Sequence, residues 1–171
     1  MDRVQVRVGR DRESLESGEG LFWESEVLMG GDRNAIYYGG DPLSPSTRAW
    51  WTVRCWGEGS DTPSPRAGPA FWETGLGGSA NGWAGSEWIA RSTPSSERPR
   101  LRAPLLRRAF ELEYGKATVS RARLYVATPG FVYAWLNGEP VLDRVCDPIK
   151  TDSSKTVHYL TADVTDATKP G

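Results

Sequence analysis

The dipeptide Asn137-Gly138 stands between two apolar runs, Phe131 to Leu136 and Val141-Leu142. Both central positions of a type I′ turn need positive φ, which Asn and Gly accept, so the spacing predicts a tight β-hairpin. The same period of two recurs elsewhere. Val4-Gln5-Val6-Arg7-Val8 alternates apolar and polar residues, the pattern of a half-buried strand, and Ala122, Leu124 and Val126 alternate with Arg121, Arg123 and Tyr125. Further strands are expected at Phe22 to Ser25, Ala35 to Tyr38, Arg48 to Trp56, Pro69 to Thr74 and Val157 to Leu160. In Arg48 to Trp56, residues Trp51, Val53 and Cys55 share one face and Thr52 and Arg54 the other. Asp11 to Gly20 is charged and broken by Gly, and reads as a short helical turn or loop.

Turn signals separate these runs. Gly30-Gly31-Asp32 is one, and the run from Gly75 to Gly82 is rich enough in Gly and small polar residues to act as a linker. Ser92 to Arg102 is a second flexible stretch, and between the two Trp83 and Trp88-Ile89 form an aromatic anchor. Leu105 to Tyr114 fits a strand face broken by Arg108 and fits a helix equally well. Strands spaced by turns in this way predict an all-β fold of two β-sandwich modules, residues 1–78 and 79–171.

Composition narrows the function classes. With 21 basic and 22 acidic side chains, nothing in the net charge of −1 seeks nucleic acid or an anionic membrane. No apolar run approaches the roughly 18–20 residues that span a bilayer, and the first residues lack the apolar centre of a secretory signal. Two cysteines and one histidine make a zinc site an unpromising expectation, and Cys55 and Cys146 both stand in strand-like contexts. His158 reads as a strand residue rather than a partner for a nucleophilic thiol. The eight tryptophans exceed what two small cores bury, so some are expected to face a further surface.

An ordered set of strings in the second half resembles the N-terminal accessory domain of bacterial-type α-L-rhamnosidases. It runs through Trp88-Ile89, Pro104 to Phe110, Ala122 to Val126, Gly130 to Gly138, Asp147-Pro148, Thr151-Asp152 and Tyr159 to Thr165. The first half is similar to the fibronectin-type-III-like module that precedes this domain, through Leu21 to Ser25, Pro42-Leu43, Ser46 to Arg54 and Phe71 to Leu76. The resemblance implies a jelly-roll-like second sandwich and a strand at Leu105 to Tyr114. It also implies that the family's first strand and last apolar strand fall outside the sequence. The α/α barrel that carries the family's catalytic carboxylates falls outside it as well.

The parent activity so implied is inverting hydrolysis of terminal α-L-rhamnosyl linkages, which needs an acid and a base carboxyl roughly 6.5–9.5 Å apart. The acids here are scattered through turns (Asp32, Asp41, Asp61, Asp143, Asp147, Asp152, Asp163, Asp166), so no catalytic residue is expected in the chain. The resemblance implies a structural spacer and packing surface for the catalytic domain of a parent enzyme, with no cofactor required. Its alternative is a carbohydrate-binding module that holds L-rhamnose beside calcium. For that alternative the candidates are Tyr133, Trp135, Asn137, Asp143, Asp147 and Asp152. Each also has a plain structural role: Phe131, Tyr133 and Trp135 as a core face, Asn137 as the turn residue, and the three Asp as turn caps. Where the family reads Asp-Pro-Gly-Trp-Thr-Asp-Tyr, this chain has Asp147-Pro148-Ile149-Lys150-Thr151-Asp152-Ser153, which removes a turn glycine and two rings.

Overall fold

The computed structural model describes residues 3–29, 35–77, 80–90, 103–112 and 119–168. The chain divides into two compact units, Met1–Ile89 and Ala90–Gly171.

The first unit is one antiparallel sheet. Strand β1 (Arg3–Gly9) pairs along its whole length with β4 (Arg48–Trp56), Val4 opposite Cys55, Val6 opposite Val53 and Val8 opposite Trp51. Paired residues share a face, so the three valines and Val53 lie on one side, where Val6, Val8 and Ala49 form the centre of the core. The strands β2 (Leu21–Glu24) and β3 (Leu28–Met29) both pair with β1, and β5 (Ala70–Glu73) pairs with β4. Helix α1 (Arg12–Ser17) begins at a capping box: Asp11 Oδ1 accepts from the Ser14 amide at 2.8 Å and Ser14 Oγ from the Asp11 amide at 3.3 Å. Leu15, on that helix, is fully buried.

Two details depart from expectation. Ala35 to Tyr38 is not a strand. Its role is set by the Tyr38 ring, which meets Trp23 edge-on at 5.6 Å and Trp72 at 6.3 Å, so a side chain joins the core where the backbone joins no ladder. On β4, Trp51 is exposed while Thr52 on the opposite face is buried. The segment after β4 folds back over that face, Thr52 Oγ1 donating to the Ala67 carbonyl at 2.6 Å and the Ala67 amide to the Val53 carbonyl at 2.8 Å. The Gly30-Gly31-Asp32 turn lies outside the described residues. The unit closes with a 3-10 helix at Ala80–Trp83, followed by Trp88-Ile89, which are exposed and anchor nothing within it.

The second unit carries two antiparallel pairs, β6 (Arg123–Ala127) with β9 (Tyr159–Asp163) and β7 (Ala134–Leu136) with β8 (Glu139–Leu142). The Asn-Gly hairpin is present, with φ of 52° at Asn137 and 87° at Gly138. Leu105 to Leu112 is exposed and forms no strand among the described residues, against the expected strand; Glu113 and Tyr114 lie outside them, as does Ser92 to Arg102. His158 precedes β9 rather than lying in a strand, and Cys146 sits in an exposed turn with φ of 60°. Both cysteines are free. The described strands give an all-β architecture.

Candidate functional site

The six sugar-site candidates all belong to the second unit, and the structure separates them. Asp143 and Asp147 come together at a cavity of about 460 Å³. Val132, Val141 and Leu142 line it together with Leu160 to Asp163 of β9. Val132 is held there by its amide, which donates to the Asp147 carbonyl at 3.1 Å. Neither the Asp143 nor the Asp147 carboxylate has a hydrogen-bond or ion-pair partner among the described residues, so both remain open to a ligand.

Arg144 and Asp163 also line the cavity, and sequence reasoning assigned neither to a site. Asp163 is already engaged: its Oδ2 pairs with Arg123 Nη1 at 2.8 Å, and its Oδ1 accepts from the Thr165 hydroxyl and amide at 2.6 and 3.1 Å. Its job is to close β6 onto the end of β9. Arg144 follows Asp143 directly, an adjacent charge pair that was the available signal.

The other candidates lie elsewhere. Tyr133 and Trp135 stack on each other, centroids 6.3 Å apart at 29°, and do not line the cavity. With Phe131 they are exposed, which corrects the expectation of a core face. Of the three only Trp135 lies in a strand, β7, so no ladder fixes Phe131 and Tyr133 on a common core face. Asn137 serves the turn and donates from Nδ2 to the Ala167 carbonyl at 2.9 Å, tying the hairpin to a distant segment. Asp152 caps its own turn: Oδ1 accepts from the Ser154 hydroxyl at 2.6 Å and amide at 3.1 Å, and Lys155 lies 3.4 Å from Oδ2. Those contacts, Ser154 foremost, hold the Asp152 carboxyl below its ordinary range. Among the described residues no cluster of three or more His, Cys, Asp or Glu is placed to hold a metal ion.

Among the described residues, a five-stranded sheet module with a six-residue α-helix is followed by a second β-module that carries the cavity, an all-β class of protein. Residues 1–78 match the family model described as a Rha78A-like, N-terminal immunoglobulin domain, and residues 117–171 match that of the alpha-L-rhamnosidase N-terminal domain. Both matched modules place the chain in the N-terminal region of the α-L-rhamnosidase family. A relative from Formosa agariphila, named alpha-L-rhamnosidase, is 25% identical over 97% of this chain and 19% of its own length. One of the same name from Streptomyces avermitilis is 36% identical over 57% of this chain and 9% of its own. The solved structure of alpha-L-rhamnosidase from Dictyoglumus thermophilum superposes with a TM-score of 0.77 at 25% identity, covering 99% of this chain and 20% of that one. The chain therefore spans about a fifth or less of the length of the relatives it matches. The module description is immunoglobulin-like; a fibronectin type III assignment is not part of it.

Proposed function

We propose that the chain serves a longer α-L-rhamnosidase, a glycosidase acting on rhamnose-containing glycosides, as a spacer and packing surface for its catalytic domain. One observation carries this reading. Among the described residues of the second unit, Val164 is the one buried large hydrophobic, while Leu105, Leu106, Phe110, Phe131, Tyr133 and Trp135 are all exposed. A contiguous chain that leaves this much apolar surface in water is built to cover it against another surface. The chain on its own should bind an apolar-surface dye strongly, show self-association by light scattering, and release nothing from an aryl α-L-rhamnoside. A dye-silent monomer would overturn the packing role, and turnover that co-elutes with the protein would overturn the non-catalytic one.

A second reading, L-rhamnose binding with or without calcium, is favoured by the open carboxylates of Asp143 and Asp147 at the cavity. Sugar hydroxyls are good donors to such oxygens. The Tyr133–Trp135 stack, the natural platform for a sugar ring, lies off this cavity, which ranks the reading second. Calorimetric titration with L-rhamnose decides it: heat that disappears in Asp143→Asn supports binding, and a flat isotherm at millimolar ligand ends it.

A further inference from the structure

The polar face of the first unit's sheet holds more guanidinium than carboxylate. On β1 and β4 the residues opposite the core are Arg3, Gln5 and Arg7, facing Trp56, Arg54 and Thr52. Arg66 reaches the same cluster from the segment that folds back after β4. A single carboxylate oxygen, Glu24 Oε1, is shared between Arg7 Nε at 2.6 Å and Arg66 Nη2 at 3.0 Å. Arg54 has no carboxylate partner among the described residues; its Nε donates to the neutral Gln5 Oε1 at 2.9 Å. Three guanidiniums therefore share one negative charge. Arg66 Nη1 is also buried without a hydrogen-bond partner. The cluster is short of acceptors as well as of anions.

We infer that the rim of this cluster, where Arg7, Arg54 and Arg66 stay partly exposed beside the segment that folds back after β4, is a docking surface for an acidic polypeptide segment, whose Asp or Glu carboxylates supply the negative charge these three lack. Guanidinium forks match carboxylates in shape and charge, and a desolvated fork gains most from a second anion. Burial and then the repulsion from Arg7 and Arg54 lower the Arg66 pKa, in keeping with uncompensated positive charge at this point.

The aromatic rings of the face argue against a polysaccharide or a nucleic acid. Each is covered by a cation: Arg3 and Arg54 lie 5.5 and 5.2 Å from the Trp56 ring centre, Arg12 lies 4.6 Å from Trp50, and Arg48 lies 4.5 Å from Phe71. A sugar or a base stacks on a ring face, and each of these rings already has a guanidinium over one of its two faces. A carboxylate needs only the rims of the guanidiniums.

The test uses the whole chain and a short poly-L-glutamate at low salt, with polygalacturonate and single-stranded DNA as parallel arms. Because the chain carries a net charge of −1, polyglutamate has no bulk electrostatic reason to bind it. Binding is expected, weakening with added salt. It should fall about tenfold for each guanidinium removed in Arg54→Gln and Arg66→Gln, the worth of one charge-assisted contact. Arg54→Lys with Arg66→Lys, which keeps the charge and loses the fork, guards against a folding defect and should lose only part of the affinity. Arg107→Gln with Arg108→Gln, exposed on the second unit, should change nothing. The inference fails if polyglutamate does not bind, if the second-unit variant weakens it equally, or if either other polyanion binds more tightly.

Discussion

Replacing Glu24 with Gln keeps the shape of the side chain and removes the one charge that Arg7 and Arg66 share. Its Oε1 lies 2.6 Å from Arg7 Nε and 3.0 Å from Arg66 Nη2. The two arginine side chains are 19% and 18% exposed and the glutamate 33%, so the pairs sit between surface and interior. A unit-charge pair at about 4 Å is worth about 1 kcal/mol in water and about 4 at an effective dielectric near 20. Desolvation and the ordering of three long side chains take back most of that gain, as they do for exposed pairs generally. The net expected loss is about 2 kcal/mol, larger than for an ordinary surface pair because Arg54 and the two freed arginines then repel one another without relief. Hydrogen exchange at the β1 amides, such as Val6, reads the first unit alone and should show the loss directly. Salt gives the sharper discrimination: at about 0.15 M the screening length is about 8 Å, so added salt should stabilise the variant relative to the parent. A loss below about 0.5 kcal/mol, with a gap that salt does not narrow, would show that these charges are already fully screened and refute the reasoning.

Two further outcomes follow from local geometry. Gly9→Ala drives a Cβ into Ser14 Oγ and to 3.3 Å from Leu15 Cδ2, so the hydroxyl must leave the capping box; urea unfolding of the first unit should show a loss of about 2 kcal/mol, and adding Ser14→Ala should give a double variant more stable than the two single losses sum to. Asp152, held below its ordinary pKa of 3.8 by Ser154 and Lys155, stabilises its turn above the unfolded value and releases it as pH falls through the lower folded value. Carboxyl NMR titration should therefore find Asp152 titrating below 3.8, and Ser154→Ala should move it up.

Much of the fold was legible because it is local. Val4 to Val8 alternate, and their buried face is the face that alternation assigns. Asn137-Gly138 takes the two positive φ angles that its turn needs. Tyr38 was misread because its apolar neighbours mimic a strand, while the interaction that fixes it is a ring packed on Trp23 and Trp72 from distant segments. Alternation set Thr52 and Arg54 apart from Trp51, Val53 and Cys55, but nothing local announces that the segment reaching Ala67 folds back over Thr52 and buries it. The site was less legible still. Asp143 and Asp147 meet at one cavity, while Asp152, with the same turn-rich surroundings, is spent on its own backbone.

By itself the sequence determined the β class, the hairpin, the apolar face of the first strand and the kinship that its ordered strings carry. These rest on periods and turn preferences that act within a few residues. Tertiary structure alone decided which carboxylates stay open, that the Phe131–Tyr133–Trp135 face lies in solvent, and that three arginines converge on one glutamate. Each of those is a meeting of residues far apart along the chain, and burial and charge balance exist only once such groups share a volume from which water is partly withdrawn.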